Sequence, residues 1–152
     1  MKISTKGRYA ITAMMELALR HRQGPVTLAE ISAEQAISVS YLEQLFAQLR
    51  KHGLVTGLRG PGGGYRLKRP ASEISIADIL RAVDESIASA AREEDEVYVA
   101  RGEALRNWDR LSRRIYNYLD NISLAEAVDQ SQATGTRRSG RPFGLGLHPT
   151  AA

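Results

Sequence analysis

The chain of 152 residues, 43% of them hydrophobic, can build one domain, or one domain with an appendage, and it has no apolar run near the ~18 residues of a membrane span. It contains no cysteine, which excludes disulfides, thiol nucleophiles and cysteine-ligated metals, and its three histidines match no metal-ligand spacing. Residues 1–70 have a net charge of +7 and residues 71–130 one of −6, so the first half suggests a surface for polyanions, although a basic domain without such a partner is an equal alternative.

The first predicted helix starts after Ser4 or Thr5 and ends near His21, before the Gly-Pro pair at 24–25. Its broad apolar face needs a partner within the fold. Glu16 interrupts the apolar pattern and no small-residue cleavage site follows, so the segment does not have the form of a secretion signal. We therefore expect a cytoplasmic protein.

Two further helices, separated by a brief turn, follow. The sequence TLAE at 27–30 has the form of a capping box and begins the shorter helix. The longer helix ends at Gly53 and is capped by Ser38 or Ser40, and a cap at Ser40 would form a second capping box with Glu43. Two short helices joined by a tight turn are the helix-turn-helix arrangement.

The third helix has an apolar inner face and a polar outer face. Hydroxyls, amides and cations on the outer face are the groups that can reach base edges and phosphates, although an ordinary solvated helix face would look the same. This polar stripe consists of Tyr41, Gln44, Gln48 and Lys51, with Ser40, Glu43 and Arg50 beside it.

The segment LRGPGGGYRLKR at 58–69 is predicted to be a hairpin. Apolar and polar residues alternate on both sides of the glycines, which indicates two strands joined by a turn from Gly60 to Gly64. A nucleotide-binding loop fits poorly, because no Lys-Ser or Lys-Thr pair follows the glycines and the next element is a strand. A hairpin behind a helix-turn-helix is a wing, and Arg59 at its base suits a phosphate or the minor groove.

The second half of the chain is predicted to be helical around an irregular, acidic segment at 86–102, which we interpret as a solvated loop. One helix starts at the sequence SIAD at 75–78, and another near Glu103. The latter carries an apolar stripe that could pack within the subunit or join two subunits. The stripe consists of Leu105, Trp108, Leu111, Ile115 and Leu119.

The predicted C-terminal region is a short helix and a tail. The sequence SLAE at 123–126 begins the helix, which is expected to end near Gln130. Residues 131–152 contain Gly, Pro, Ser, Thr and three Arg but no acid, which predicts a disordered basic tail that could touch DNA weakly.

Four of these segments resemble the Rrf2 family of bacterial transcription regulators and, within it, the IscR branch of iron–sulfur cluster regulators. They are KGRYAITAMMELAL, SYLEQLFAQLRKHGLV, RGPGGGYRL and AVDES, and the resemblance is dense from Met1 to about Ser86. It implies a mainly helical fold with a small β-hairpin: a winged helix-turn-helix domain over 1–86, a sensor-type loop over 87–102, and a dimerisation helix with a short cap helix over 103–130.

The resemblance also implies a homodimer that binds near-palindromic, double-stranded promoter DNA, associated with the bacterial nucleoid and with genes of iron–sulfur cluster biogenesis or related stress responses. The motifs leave repression and activation open. The recognition helix would run from Val39 to His52. Together with the polar stripe, the expected DNA-binding residues are Lys6, Arg8, Ser38, Ser40, Tyr41, Glu43, Gln44, Gln48, Lys51, Arg59, Gly60, Pro61 and Gly62.

Glu43 is the acidic member of this set. A free carboxylate can accept a hydrogen bond from cytosine N4, but phosphates repel it, so Glu43 could act as a filter between two classes of DNA site. Held in a capping box, it would read nothing.

The resemblance fails at the sensor. In the cluster-binding branch the loop after AVDES carries three Cys and a nearby His that hold a 2Fe–2S cluster, whereas this chain has Ala90, Ala91, Ala100 and Ala104 in that region. Carboxylates are poor substitutes for thiolates at such a cluster. We therefore expect no cofactor and either constitutive DNA binding or another signal, such as a small ligand or a redox change at Trp108 or Tyr98.

Two other classes of function remain as alternatives. A winged-helix module can bind proteins instead of DNA, but such modules usually lose the basic wing and the polar stripe. An enzyme is the weakest candidate, because the sequence shows no nucleophile–base pair, no paired carboxylates in an apolar frame and no metal set.

Overall fold

The computed structural model describes residues 3–84 and 103–138. Within these ranges the fold is mainly helical, with one two-stranded antiparallel sheet, as the sequence predicts. The helices are α1 (Thr5–Leu19), α2 (Leu28–Gln35), α3 (Val39–Lys51), α4 (Ile76–Val83), α5 (Glu103–Asp120) and α6 (Leu124–Arg138), and the strands are β1 (Val55–Leu58) and β2 (Gly64–Leu67).

The N-terminal caps decide where α2 and α3 begin. The predicted capping box of α2 is present, since the Thr27 N–H donates to the Glu30 carboxylate at 2.7 Å and the Glu30 N–H donates to Thr27 Oγ1. Helix α3 is capped by Ser38, whose Oγ accepts from the Tyr41 N–H at 3.2 Å. Ser40 therefore lies inside α3, and the alternative capping box with Glu43 is not formed.

The core lies between the helices of the winged domain and takes in the start of α6. Fully buried side chains of α1, α3 and α4 pack with the first residues of β1, and Leu124 of α6 is as buried as they are. Burial of these apolar side chains provides the main stabilisation of the fold. The largest fully buried side chains include Met14, Leu17, Ile31, Leu42, Leu45, Phe46, Leu49, Leu54, Ile74 and Ile79.

Helix α6 is longer than the sequence predicts. It continues to Arg138, eight residues beyond the predicted end at Gln130. The expectation of a disordered tail from 131 onward is therefore wrong for 131–138, and the rest of that tail lies outside the described residues. The physical reason is that no proline occurs between Leu124 and Pro142, and a single glycine costs a helix only about 1 kcal/mol.

The turn between α5 and α6 is joined to the segment before α4. The Leu124 N–H donates to the Ile74 carbonyl at 2.7 Å, and the Ile76 N–H donates to the Ile122 carbonyl at 3.0 Å. These bonds fix the C-terminal end of α5 to the winged domain. In the described ranges, no helix is both long and apolar enough to span a membrane.

An exposed ion pair strengthens this joint. Arg81 donates two hydrogen bonds to the Asp120 carboxylate, both of 2.8 Å, and Ser75 Oγ donates a third of 3.3 Å. The hydrogen bonds from Arg81 lower the pKa of Asp120. A lowered pKa in the folded state means that the pair stabilises the fold above the ordinary pKa of aspartate and that this stabilisation is lost as the pH falls through the lowered value.

We expect Asp120→Asn to lower the free energy of unfolding by about 0.5–1 kcal/mol at pH 7, a modest loss because both side chains are partly exposed. The loss should shrink as the pH falls below about 4, where the wild-type carboxylate also becomes protonated. Urea denaturation between pH 3 and pH 7 measures it. Asp129→Asn, which removes the same charge from an exposed position of α6, is the control. A loss that is constant across this pH range would contradict the role of the ion pair.

Candidate nucleic-acid interface

Helix α3 separates an apolar face from a polar one. Leu42, Leu45, Phe46 and Leu49 are fully buried, which fixes the rotation of the helix and turns the predicted polar stripe outward. Ser38 is exposed as well, but its oxygen is used by the cap. Of the stripe, Ser40, Glu43, Gln44, Arg50 and Lys51 are exposed, whereas Tyr41 and Gln48 are half-buried.

An aromatic contact attaches the start of α1 to the start of α3. The rings of Tyr9 and Tyr41 meet edge to face, with centroids 5.8 Å apart, and the Arg8 guanidinium lies 5.9 Å from the centre of the Tyr9 ring. This contact places the start of α1, which carries the predicted phosphate-binding residues Lys6 and Arg8, beside the start of α3. Tyr41 is thus also a positioning residue, and the sequence did not single out Tyr9 for this role.

The hairpin between β1 and β2 is present as predicted, except that Gly64 belongs to β2 and not to the turn, because it pairs with Leu58. The strands pair antiparallel from Val55↔Leu67 to Leu58↔Gly64. At the tip, the Gly63 N–H donates to the Gly60 carbonyl at 2.9 Å across Pro61 and Gly62. Residues 60–63 form a type II turn, which favours proline at its second position and needs a positive φ at its third. Pro61 occupies the second position, and Gly62, with φ 72°, occupies the third.

The predicted wing residues project from this hairpin. Arg59, Gly60, Pro61 and Gly62 are all exposed. Gly63 has no room for a side chain, because a Cβ there would lie 2.3 Å from the Leu58 carbonyl oxygen. The glycines therefore keep the tip narrow. Arg59 lies beside this tip and not at the base of the wing as predicted, because β1 ends at Leu58.

Two contacts fix the wing relative to the helix-turn-helix. The ring of Tyr65 in β2 packs on Phe46 of α3, with centroids 4.8 Å apart. Val26 exchanges two backbone hydrogen bonds with Tyr65, of 2.9 and 2.7 Å, and so extends the hairpin by one bridge. Gly64 permits this approach, since a Cβ there would lie 2.6 Å from the Val26 carbonyl oxygen. The hairpin is therefore packed against α3 and bridged to the start of α2.

An ion-pair cluster holds α2 against α1. Arg20 lies 2.6 Å from the buried Glu16 and 3.3 Å from Glu34, and the Gln35 side chain donates to Glu16 at 3.3 Å. At the start of α2, hydrogen bonds from the Thr27 backbone and hydroxyl lower the pKa of Glu30. The Arg20–Glu34 ion pair and the Gln35–Glu16 hydrogen bond thus hold the first helix of the helix-turn-helix against α1.

The Glu43 carboxylate is not engaged by the fold. It is exposed, its alternative capping box is absent, and across residues 3–84 and 103–138 it has no recorded hydrogen bond or ion pair. The Glu43 carboxylate is therefore not held in a capping box, which was the condition for it to act as a filter between DNA sites.

The apolar stripe of α5 is divided between two environments. Leu119 packs against the subunit's own core, together with Tyr116 and Ile122. Ile115 is half-buried, whereas Leu111 and Tyr118 are exposed by 48% and 68%. The side chains of Leu105 and Trp108 lie outside the described part of the structure.

The region where the resembled branch holds its cluster lacks the donor atoms for it. Ala90, Ala91 and Ala100 lie outside the described residues, and so does the side chain of Ala104. Because the whole sequence contains no cysteine, the thiolates that a 2Fe–2S cluster requires are missing. The residues present do not fit this group.

The winged architecture is matched by known regulators. The model of the Rrf2 family, described as an iron-dependent transcriptional regulator, matches residues 3–130. The chain belongs to the Rrf2 family. It is 47% identical over 154 residues to the HTH-type transcriptional regulator IscR of Serratia proteamaculans, a match that covers 93% of this chain and 94% of that protein.

Solved structures of Rrf2 proteins share the fold. IscR of T. potens is 33% identical, with a TM-score of 0.70 and coverage of 95% of this chain and 94% of that one. CymR of B. subtilis, named as the global cysteine regulator, is 37% identical, with a TM-score of 0.72 and coverage of 86% and 98%. The predicted winged-helix fold and the predicted identity as a transcription regulator are confirmed, whereas the roles of the individual residues stay predictions.

Proposed function

We propose that this Rrf2 regulator binds near-palindromic promoter DNA as a homodimer, in the bacterial cytoplasm and without an iron–sulfur cluster. The observation that carries the proposal is that the polar stripe of α3 and the glycine wing, which packs on α3 through Tyr65 and Phe46, are both turned to the outside of the fold. Its targets would be genes of iron–sulfur cluster biogenesis or related stress responses, as the similarity to IscR suggests.

The side chains of α3 have the chemistry needed to read bases in the major groove. The amide of Gln44 can form a bidentate pair with adenine, and the hydroxyl of Ser40 can donate or accept at a base edge. Arg59 on the wing would enter the minor groove or bind a phosphate, while Lys6 and Arg8 at the start of α1 would bind phosphates. Phosphate contacts would set the orientation, and α3 would provide the specificity.

The proposed partner of α5 is the α5 of a second subunit. Leu111 and Tyr118 leave an exposed apolar edge on this helix, beside the edge that packs on the core. A two-fold contact between equal surfaces would bury this edge on both subunits. Because the α5–α6 turn is bonded to the winged domain, such a contact would also set the spacing between the two recognition helices.

A salt titration tests DNA binding against the alternative of a protein-interaction module. The affinity for nonspecific duplex DNA should fall steeply as the salt concentration rises. In a plot of the two logarithms, each phosphate contact should contribute about 0.9 to the slope. The expected contacts of each subunit are those of Lys6, Arg8, Lys51 and Arg59. Arg59→Ala should reduce this slope by about 1 per subunit. Arg106→Ala, at an exposed position of α5 away from the apolar edge, is the control for the loss of one charge. Absence of a salt-dependent interaction would exclude the proposed function.

The role of Glu43 as a filter can be measured separately. We expect Glu43→Gln to raise the affinity for sites without a suitably placed cytosine by about fivefold, because a carboxylate near phosphates and acceptor groups is replaced by a neutral amide. Fluorescence anisotropy with a panel of operator variants measures this, and Glu126→Gln on α6 is the control for the charge change. If the variant gained the same affinity for every operator variant, Glu43 would act only by charge repulsion and would not distinguish between bases.

A further inference from the structure

A concave cleft lies apart from the proposed DNA-binding surface. It has a volume of about 970 Å³ and lies between the end of α1, the strand β2 with the residues after it, and α6. This volume is in the range of sites for small organic molecules. No residue of α3 and none of the wing turn at 59–63 lines it.

The lining of the cleft combines an apolar floor with a basic rim. Leu67, Ala71 and Val128 contribute apolar surface. Asp129 is the only acidic side chain among the lining residues, whereas five are basic: His21, Arg22, Arg66, Lys68 and Arg69. The exposed Arg22, Arg66 and Lys68 have no recorded ion pair within residues 3–84 and 103–138. By contrast, the nearby Arg20 is paired with Glu16 at 2.6 Å. The cleft therefore offers a positive potential above an apolar surface.

We propose that this cleft binds a small organic anion with an apolar body, such as a medium-chain or aromatic carboxylate. The apolar body would lie on Leu67 and Val128, and the carboxylate would meet the rim arginines, whose guanidinium groups suit that geometry. DNA fits less well, because a phosphate backbone has nothing to bury against an apolar floor. A ligand in this cleft would contact both β2 and α6 and would therefore change the affinity for DNA. This effect on DNA affinity rests on the proposed function, whereas the binding of the ligand does not.

The test uses octanoate as the probe and the full chain without DNA, so that it is independent of DNA binding. Backbone amide shifts in NMR spectra should change at β2 and at the start of α6, around Leu67 and Val128. Octanoate should bind about tenfold more tightly than acetate, which lacks the apolar body, and than octylamine, which has the opposite charge.

Variants locate the site. Arg22→Gln combined with Arg66→Gln should weaken octanoate binding about fivefold to tenfold, while Arg110→Gln combined with Arg114→Gln, which removes the same charge from α5, should not. Ala125→Leu, which fills part of the cleft from α6, should block binding in a folded protein. Equal affinities for octanoate and octylamine would overturn the proposal. It would also be overturned if octanoate changed amide shifts only at residues outside the cleft. The proposal would also be overturned if a nonspecific DNA duplex changed the NMR shifts of the backbone amides that line the cleft and octanoate did not.

Discussion

Replacing Leu111 by glutamate is expected to convert the proposed homodimer to a monomer. Leu111 is 48% exposed in the subunit and lies with Tyr118 on the exposed apolar edge of α5. In a two-fold contact each copy would bring its carboxylate into the apolar seam, where an unpaired charge is costly. Sedimentation velocity measures the change of mass.

The same substitution should weaken binding to a two-half-site operator by about 10²- to 10⁴-fold, because two linked recognition helices gain avidity that separate ones lack. Asn117→Glu adds the same charge to an exposed position off the apolar stripe and should leave the dimer intact. If the Leu111→Glu protein remains a dimer with full operator affinity, α5 does not form the interface.

The second large effect is expected at the tip of the wing. In Gly63→Ala the new Cβ would lie 2.3 Å from the Leu58 carbonyl oxygen and 2.8 Å from the Gly60 carbonyl oxygen, so the type II turn has to open. We expect the free energy of unfolding to fall by about 1–3 kcal/mol and the operator affinity to fall about tenfold. Thermal denaturation and anisotropy measure the two quantities.

Gly57→Ala is the matched control, because a Cβ at that strand position would meet only the Tyr65 ring, at the ordinary contact distance of 3.5 Å. It should change neither stability nor affinity strongly. A Gly63→Ala protein that is folded and binds its operator normally would show that the shape of the wing is not used in recognition.

Local signals in the sequence predicted most of the fold. The Thr27 and Glu30 spacing fixed the start of α2, since a capping box depends only on residues three positions apart. The glycine run around Pro61 predicted the turn, because few other residues adopt its positive φ angles. The candidate site could be predicted to the same extent, as the polar stripe follows from the apolar period of α3.

Features that depend on long-range contacts or on nearly equal alternatives could not be predicted. Ser38 and Ser40 are both good caps, and the choice between them follows from how α3 is rotated into the core. The contact of Tyr9 with Tyr41 joins two helices far apart in sequence, and no local pattern indicates it. The polar, glycine-containing composition after Gln130 is typical of a tail, yet α6 continues to Arg138, since this stretch contains no proline.

The most direct test of the proposed function is a selection of fragments from the source genome with metal-free protein, followed by an anisotropy titration of the recovered sequence at physiological salt. We predict a palindromic site that is bound at least about 10³-fold more tightly than nonspecific DNA. Recovery of sequences without symmetry, bound no more tightly than random DNA, would contradict operator recognition by the cluster-free homodimer.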